Sequence, residues 1–199
     1  MPDPHHRDLG YRAATLDRQT QTQSPDEPLR ETFIGLSEEV RSRSVADLNQ
    51  LLVDTIMLRD LYKKHHWQLS GVTFYQLHLL FDAHYEQQAD LTDLLAERVQ
   101  LLGGVSIGMP GDVADRTRIK RPPTGREDPD VQITRLLDAH RTILDLAHTA
   151  AARSDEDGDD RTNDLVVSDL IRTNEKQVWF LSEHLVPTRL QGDEAPDDA

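Results

Sequence analysis

Apolar residues recur along most of this chain at the three- and four-residue spacing of an α-helix, and no stretch alternates as a half-buried strand would. The pattern is missing over residues 1–43 and starts near Ser44, a helix N-cap with Asp47 three residues on. From there Val45, Leu48, Leu51, Leu52, Ile56, Leu58, Leu61 and Leu69 spread over a wide arc up to Gly71, as a helix buried on more than one side would. A three-residue turn, Gly71-Val72-Thr73, leads into a second helix, so the two are antiparallel neighbours. That second helix covers residues 74–104, gathers Leu77, Leu80, Phe81, Leu91, Leu94, Leu95 and Leu102 on one arc, and stops at Gly103-Gly104. Residues 103–129 are rich in proline and glycine and have room only for a short helical turn near 110–116. A third helix runs from Asp130 to Arg153 with Val131, Ile133, Leu136, Leu137, Ile143, Leu144 and Leu146 as its apolar face. A fourth runs from Thr162 to Leu185 and ends before Pro187, with Leu165, Val166, Leu170, Ile171, Val178, Trp179, Leu181 and Leu185 inward. The expected fold is all-α: four helices, short turns within each pair, and one long crossover between the second and third.

The polar side of the second helix changes the picture from architecture to chemistry. At about 100° per residue, His78, Asp82, Asp93 and Glu97 fall within roughly a 100° arc, away from the apolar stripe. His78 and Asp82 are one turn apart, as are Asp93 and Glu97, so each pair can reach one ion. Asp82 and Asp93 are about 16 Å apart along the axis, too far to share one centre on one helix. Two antiparallel copies, related by a two-fold axis near Gln87 and Gln88, would bring His78 and Asp82 of one opposite Asp93 and Glu97 of the other. That gives two identical sites per dimer. Helix surfaces are full of solvated carboxylates; the feature that sets this one apart is His66, at the end of the preceding helix.

Residues 65–104, HHWQLSGVTFYQLHLLFDAHYEQQADLTDLLAERVQLLGG, resemble the core of the Dps mini-ferritins (DNA-binding proteins from starved cells). The shared pattern is His-Trp, a second His twelve residues after the first, Asp four later, then D-x-x-x-E-R and L-G-G. The likeness extends more weakly to about residue 186. It implies a ferritin-like four-helix bundle over residues 44–186, with the long crossover carrying a short helix, assembled into a dodecameric shell. It implies a di-iron ferroxidase site between two-fold-related subunits, with His66, His78 and Asp82 from one and Asp93 and Glu97 from its partner. The implied reaction oxidises Fe(II), mainly with hydrogen peroxide and otherwise with oxygen, and the ferric mineral is stored inside the shell. Trp67 stands beside this site, and Tyr85 and Glu86 lie where outer-sphere groups would. The family's three-fold pores admit cations at the start of the last helix, which makes Asp157, Asp159, Asp160 and Asp164 candidates for an electrostatic funnel. Other di-iron bundles place Glu-x-x-His pairs inside one subunit, and no Glu of this chain is followed by His three residues later.

Composition bounds the alternatives. The chain has 199 residues, no cysteine and a net charge of −14. Thiolate metal sites and disulfides are excluded. There is no run of about 18 apolar residues for a membrane span and no signal-peptide core, so a cytoplasmic protein is expected, nucleoid association being the variant the family suggests. The rival function is a nucleoid-binding structural protein whose metal site is secondary. The acidic balance argues against DNA binding, and so does the N-terminal tail, where Arg7, Arg12 and Arg18 are offset by Asp3, Asp8 and Asp17 and no lysine occurs. Residues 1–43 read as a flexible tail, with His5 and His6 a weak metal-binding candidate, and residues 187–199 as an acidic disordered tail. Arg116, Arg118, Lys120, Arg121 and Arg126 make the crossover the most basic segment. His65, His84, His140 and His148 are assigned to packing.

Overall fold

The structure is a computed structural model that describes residues 23–25 and 27–187. His5, His6 and the acidic C-terminal tail lie outside the described residues. Helix α1 spans Glu38–Gln68, α2 Phe74–Leu101, α3 Pro110–Arg116 and α4 Pro129–Glu156. The last helix comes in three pieces: α5 (Asp160–Asp164), a π-helical segment (Leu165–Ile171) and α6 (Arg172–Glu183). No strand occurs among the described residues. Helices α1 and α2 form one antiparallel pair, α4 and the composite last helix the other, and the crossover carries α3 between them.

Helix α1 begins earlier than its apolar periodicity suggested. Ser37, not Ser44, is the N-cap, its hydroxyl accepting from the Val40 amide at 3.3 Å, and Glu38 and Glu39 sit favourably at the positive end of the helix dipole. Its first turns carry little apolar surface, with Glu38, Glu39, Ser42 and Arg43 exposed. Residues 27–37 fold back across the end of the α1–α2 pair, where the Arg30 amide donates to the Gly103 carbonyl at 2.9 Å. Arg41 spans this junction, donating to Arg30 O at 2.9 Å and Leu102 O at 2.8 Å.

Gly103 is there for two reasons. Its φ of 84° is the left-handed C-terminal position, with Gly103 N–H bonded to Gln100 O and Gly104 N–H to Val99 O. A Cβ on it would also collide with the Arg30 carbonyl. The α4 helix ends in the same way at Gly158, φ 70°, with Asp159 N–H returning to Ser154 O.

Two buried side chains lash the crossover to α1. Asp54 accepts from Thr117 Oγ1 at 2.9 Å, the Arg118 amide at 2.8 Å and the Arg118 guanidinium at 3.0 Å. Asn49 reads the backbone at Val105 and Ile107. A basic segment therefore serves partly as an internal counterion, and Arg118 is not a free surface charge.

The core runs the length of the bundle through Leu48, Leu51, Leu58, Leu77, Phe81, Leu95, Leu136, Ile143, Val166 and Leu170. Three expected core residues lie outside it: Leu94, Val131 and Trp179 are 42%, 45% and 60% exposed. Leu185 is exposed as well. Trp179 lies nine residues after the buried Leu170, on the opposite side of the last helix at about 100° per residue. The inward positions become Val166, Leu170, Ile171, Asn174, Gln177 and Leu181.

Candidate metal centre

His66 lies in the last turn of α1 and His78 in the second turn of α2, facing each other across the helix pair. Their rings stack with centroids 3.6 Å apart and planes 18° from parallel. Each uses Nδ1 on the other's backbone: His66 Nδ1 lies 2.8 Å from His78 O, and His78 Nδ1 lies 3.1 Å from His66 O. A carbonyl only accepts, so both Nδ1 atoms are the protonated ones. In the neutral imidazole, a proton on Nδ1 leaves Nε2 bare, which is the tautomer a metal ligand needs. The short Gly71 turn, φ 95°, makes this reciprocal arrangement possible by bringing the two helix ends together.

Asp82 is one turn beyond His78. Its Oδ1 is 3.9 Å from His66 Nδ1 and 2.5 Å from Lys63 Nζ. The Lys63 ammonium also lies 4.4 Å from the Tyr85 ring centroid, a cation–π contact. The hydrogen bond to Lys63 lowers the Asp82 pKa, and the same bond raises that of Lys63. A resident ammonium thus neutralises the carboxylate that faces the two imidazoles.

Asp93 and Glu97 are exposed and make no hydrogen bond or ion pair among the described residues. They lie three to four turns further along α2 and do not meet His66, His78 or Asp82. No three metal-ligating side chains among the described residues converge on one point within a single chain. Within one chain the two pairs on α2 stand apart, as their axial spacing predicts. Around them the outer face of α2 exposes Tyr75, Leu79, Leu94 and Leu101 beside the carboxylates, at 66%, 52%, 42% and 58%. Trp67, next to His66, is 70% exposed, and Glu86 is exposed close enough to Lys63 to raise its pKa.

The four aspartates at the start of the last helix differ sharply. Asp159 is buried and caps α5, accepting from the Thr162 amide at 3.2 Å, Thr162 Oγ1 at 2.6 Å and Ser44 Oγ at 2.7 Å. It also pairs with Arg98 at 2.5 Å, which ties the α4–α5 turn to α2 beside Glu97. Burial pushes its carboxyl pKa up, but those hydrogen bonds and the Arg98 charge outweigh burial and hold it below the ordinary value. Asp157 is paired with Arg43 at 2.7 Å. Asp160 and Asp164 are exposed, Asp164 with Arg161 at 3.6 Å.

A second cluster of polar groups fills the middle of the bundle. Tyr62, His84, Gln88, His140, Asn174 and Gln177 are all buried and hydrogen-bonded to one another. Burial lowers the histidine pKa values to about 3 at His84 and about 4 at His140, so the cluster holds only neutral groups. The packing roles expected for His84 and His140 agree with this; the roles of Tyr62, Gln88, Asn174 and Gln177 were missed. The available signal was polar residues at inward helical positions, such as Gln88 four after His84 and three before Leu91. With no carboxylate, the interior offers a divalent cation nothing to offset its desolvation. His65, also buried, has its pKa lowered to about 4 by burial.

Comparison with known proteins agrees with this architecture. A sequence model of the ferritin-like domain, "Ferritin", matches residues 45–190. A "DNA protection during starvation protein" of Agrobacterium fabrum is 31% identical over 150 residues, covering 75% of this chain and 92% of that one. Among solved structures, DpsC of Streptomyces coelicolor superposes with a TM-score of 0.83 at 49% identity, over 86% of this chain and 99% of that one. The Dps protein of Vibrio cholerae, described as one of a broad superfamily of ferritin-like diiron-carboxylate proteins, gives 0.74 at 27% identity, over 80% and 99%. The fold is that of a ferritin-like protein. Within that class, the chain belongs to the Dps family.

Proposed function

We propose that this protein is an iron-storing ferroxidase that oxidises Fe(II) at sites shared between two copies of the chain and holds the ferric product inside a shell of twelve. The observation that carries the reading is the reciprocal His66–His78 pair, which holds both imidazoles in the metal-binding tautomer with Asp82 alongside. Membership of a family whose Vibrio cholerae relative is described as a ferritin-like diiron-carboxylate protein supports iron as the metal. Imidazole with carboxylate is a donor set that suits Fe(II).

The outer face of α2 supports the shared site. Leu79, Leu94 and Leu101 would be buried by an isologous neighbour, and the same packing would bring Asp93 and Glu97 of the second copy to His66, His78 and Asp82. Iron is the substrate here. The residues bind two Fe(II) ions close together, so a two-electron oxidant can take one electron from each. With hydrogen peroxide, two Fe(II), one peroxide and two protons give two Fe(III) and two waters, and no hydroxyl radical is left over. Asp82 first has to exchange the Lys63 ammonium for the incoming cation. The exposed Asp160 and Asp164 are candidates to draw cations toward a three-fold pore; Asp157 contributes only if its pairing with Arg43 opens, and Asp159 acts through the fold.

The test is anaerobic Fe(II) oxidation by hydrogen peroxide, followed optically, in the wild type and in Asp82→Ala with Asp93→Ala. Fast oxidation that disappears in the double variant while the assembly persists is the expected result. Equal rates would show the α2 ligands to be surface decoration. A gel-shift titration at low salt separates the nucleoid-binding alternative, because a shell of this charge should leave DNA unshifted.

A further inference from the structure

Tyr62 is fully buried, and its hydroxyl is the hub of the interior cluster. It lies 2.6 Å from His140 Nε2 and 3.1 Å from His84 Nδ1. The proton directions can be read from the far end. Asn174 Nδ2 donates to the Leu170 carbonyl at 2.7 Å, so its Oδ1 is the atom 2.8 Å from His140 Nδ1. That oxygen only accepts; His140 therefore carries its proton on Nδ1 and leaves Nε2 bare. Tyr62 donates to His140, and its oxygen accepts from His84 Nδ1–H. Asn174 and Gln177 continue the inward face of the last helix, four and seven residues after Leu170.

A phenol that loses an electron must lose its proton too, and in a dry core only a neutral base already in contact can take it. His140 is such a base, held neutral by burial. Tyr62 also lies one turn before His66 on α1, about 6 Å along the axis, and its ring meets Phe81, the residue before Asp82, edge-on at 5.8 Å. We propose that Tyr62 is a redox relay for the ferroxidase site, supplying the second electron when peroxide meets a site that holds a single Fe(II). The inference rests on the ferroxidase reading above.

The step balances as follows. Peroxide takes one electron from Fe(II) and one from Tyr62, and with two solvent protons becomes two waters. The Tyr62 proton crosses to His140 Nε2, leaving a neutral phenoxyl radical beside an imidazolium that still donates to Asn174. The next Fe(II) to arrive gives its electron to the phenoxyl, His140 returns the proton, and the cluster resets. Without the relay, a lone Fe(II) would split peroxide into hydroxide and a hydroxyl radical. A network that only satisfied buried polar groups would carry no unpaired spin.

The test mixes the assembled protein, loaded with one Fe(II) per site, with hydrogen peroxide and freezes the mixture for electron paramagnetic resonance. A phenoxyl signal is expected, narrowed by ring-deuterated tyrosine, lost in Tyr62→Phe and retained in Tyr75→Phe with Tyr85→Phe. Spin-trapped hydroxyl radical should rise several-fold in Tyr62→Phe. His140→Gln, which keeps the phenol and removes the base, should lose the signal as well and serves if Tyr62→Phe does not assemble. A signal that survives in Tyr62→Phe, sits on the Trp67 indole, or fails to form while two-iron turnover is normal overturns the relay alone. Absence of any Fe(III) formation, even with two Fe(II) per site, overturns the ferroxidase reading and the relay together.

Discussion

Two histidine clusters sit a few turns apart in this bundle and have opposite chemistry. At the outer face, His66 and His78 use only Nδ1 and stand beside Asp82, while Asp93 and Glu97 of the same chain lie turns away. In the interior, His140 uses both ring nitrogens, and every ionisable group of the cluster is neutral. On the proposed reading, the same side chain binds a cation where charge and solvent are available and accepts a proton where they are not. Burial alone does not separate the two, since the side chain of His66 is only 12% exposed. The neighbours do: Asp82 is present at one cluster, and no carboxylate is present at the other.

The sharpest way to break this contrast is to remove ligands from the outer cluster. His78→Ala or Glu97→Ala should each slow Fe(II) oxidation by at least about 100-fold, beyond the ~10–100-fold typical of losing a metal's outer-sphere partner. Mixing decides whether the site is shared. Reassembly of the two variants together should restore roughly a quarter of the wild-type sites, because half of the dimers are mixed and a mixed dimer has one intact site and one doubly damaged one. Recovery absent from intact mixed shells would place all five ligands' function within one chain and sink the two-fold arrangement.

The interior should answer in stability rather than in rate. Gln177→Leu removes the acceptor 2.9 Å from Gln88 Nε2 and the donor 2.8 Å from Gln87 Oε1. A stranded buried polar group costs about 1–3 kcal/mol, and for a chain of this size each kcal/mol moves the unfolding midpoint by about 2–4 °C. Calorimetry should record that loss, with two-iron peroxide turnover unchanged. A variant as stable as the wild type would show the amide network to be dispensable packing.

These clusters were not equally legible in the sequence. Helix number, the crossover and the short helix at Pro110–Arg116 follow from apolar periodicity and from proline and glycine, which act locally. His66, His78 and Asp82 could be found because their spacing is set by one turn and one tight loop. Asp93 and Glu97 could be paired with them only through a symmetry argument, which an axial distance along one helix supplies. The interior cluster escaped because its members come from four separate elements and because polar side chains at inward positions carry no apolar signal. Leu94 was assigned to the core for a related reason. A leucine on the outer face of α2 has nearly the same periodicity as one turned to the subunit's own interior. The early start of α1 was hidden because its first turns, Glu38 to Ser44, hold a single apolar residue and so carry no periodic signal.

Titration distinguishes the regions more gently. His84 and His140 have folded pKa values of about 3 and 4 against an ordinary 6.5. Below about pH 6.5 the unfolded chain takes up protons that the folded chain refuses, so stability falls with falling pH from there toward about pH 4. Asp159 works in a lower window: its folded pKa is depressed, so its contribution is complete above the ordinary carboxylate value and is lost as pH falls through the folded one. Unfolding midpoints measured across pH should therefore begin to decline near the histidine range, and His84→Phe should flatten that first decline without touching the second. An unchanged profile in His84→Phe would mean that the buried imidazole titrates as it does in water.

The smallest effect concerns the ammonium that occupies the outer cluster. Lys63 reaches Asp82 at 2.5 Å and is itself only about a quarter exposed, with 27% of its side chain open to solvent. On the proposed reading a divalent cation displaces it, so separating an existing pair offsets part of the cation's binding free energy. Lys63→Met keeps the stem against Tyr85 and removes the charge. Partly exposed pairs of this kind contribute on the order of 1 kcal/mol or less, so the variant should bind Fe(II), or redox-silent Zn(II) as its stand-in, a few-fold more tightly in calorimetric titration. Interior stability should stay the same, since Lys63 makes no bond to the Tyr62 cluster. If binding weakens instead, Lys63 is not a competitor but the group that aims Asp82 at the metal. The outer cluster would then resemble the interior one in depending on a pre-formed hydrogen bond rather than on open charge.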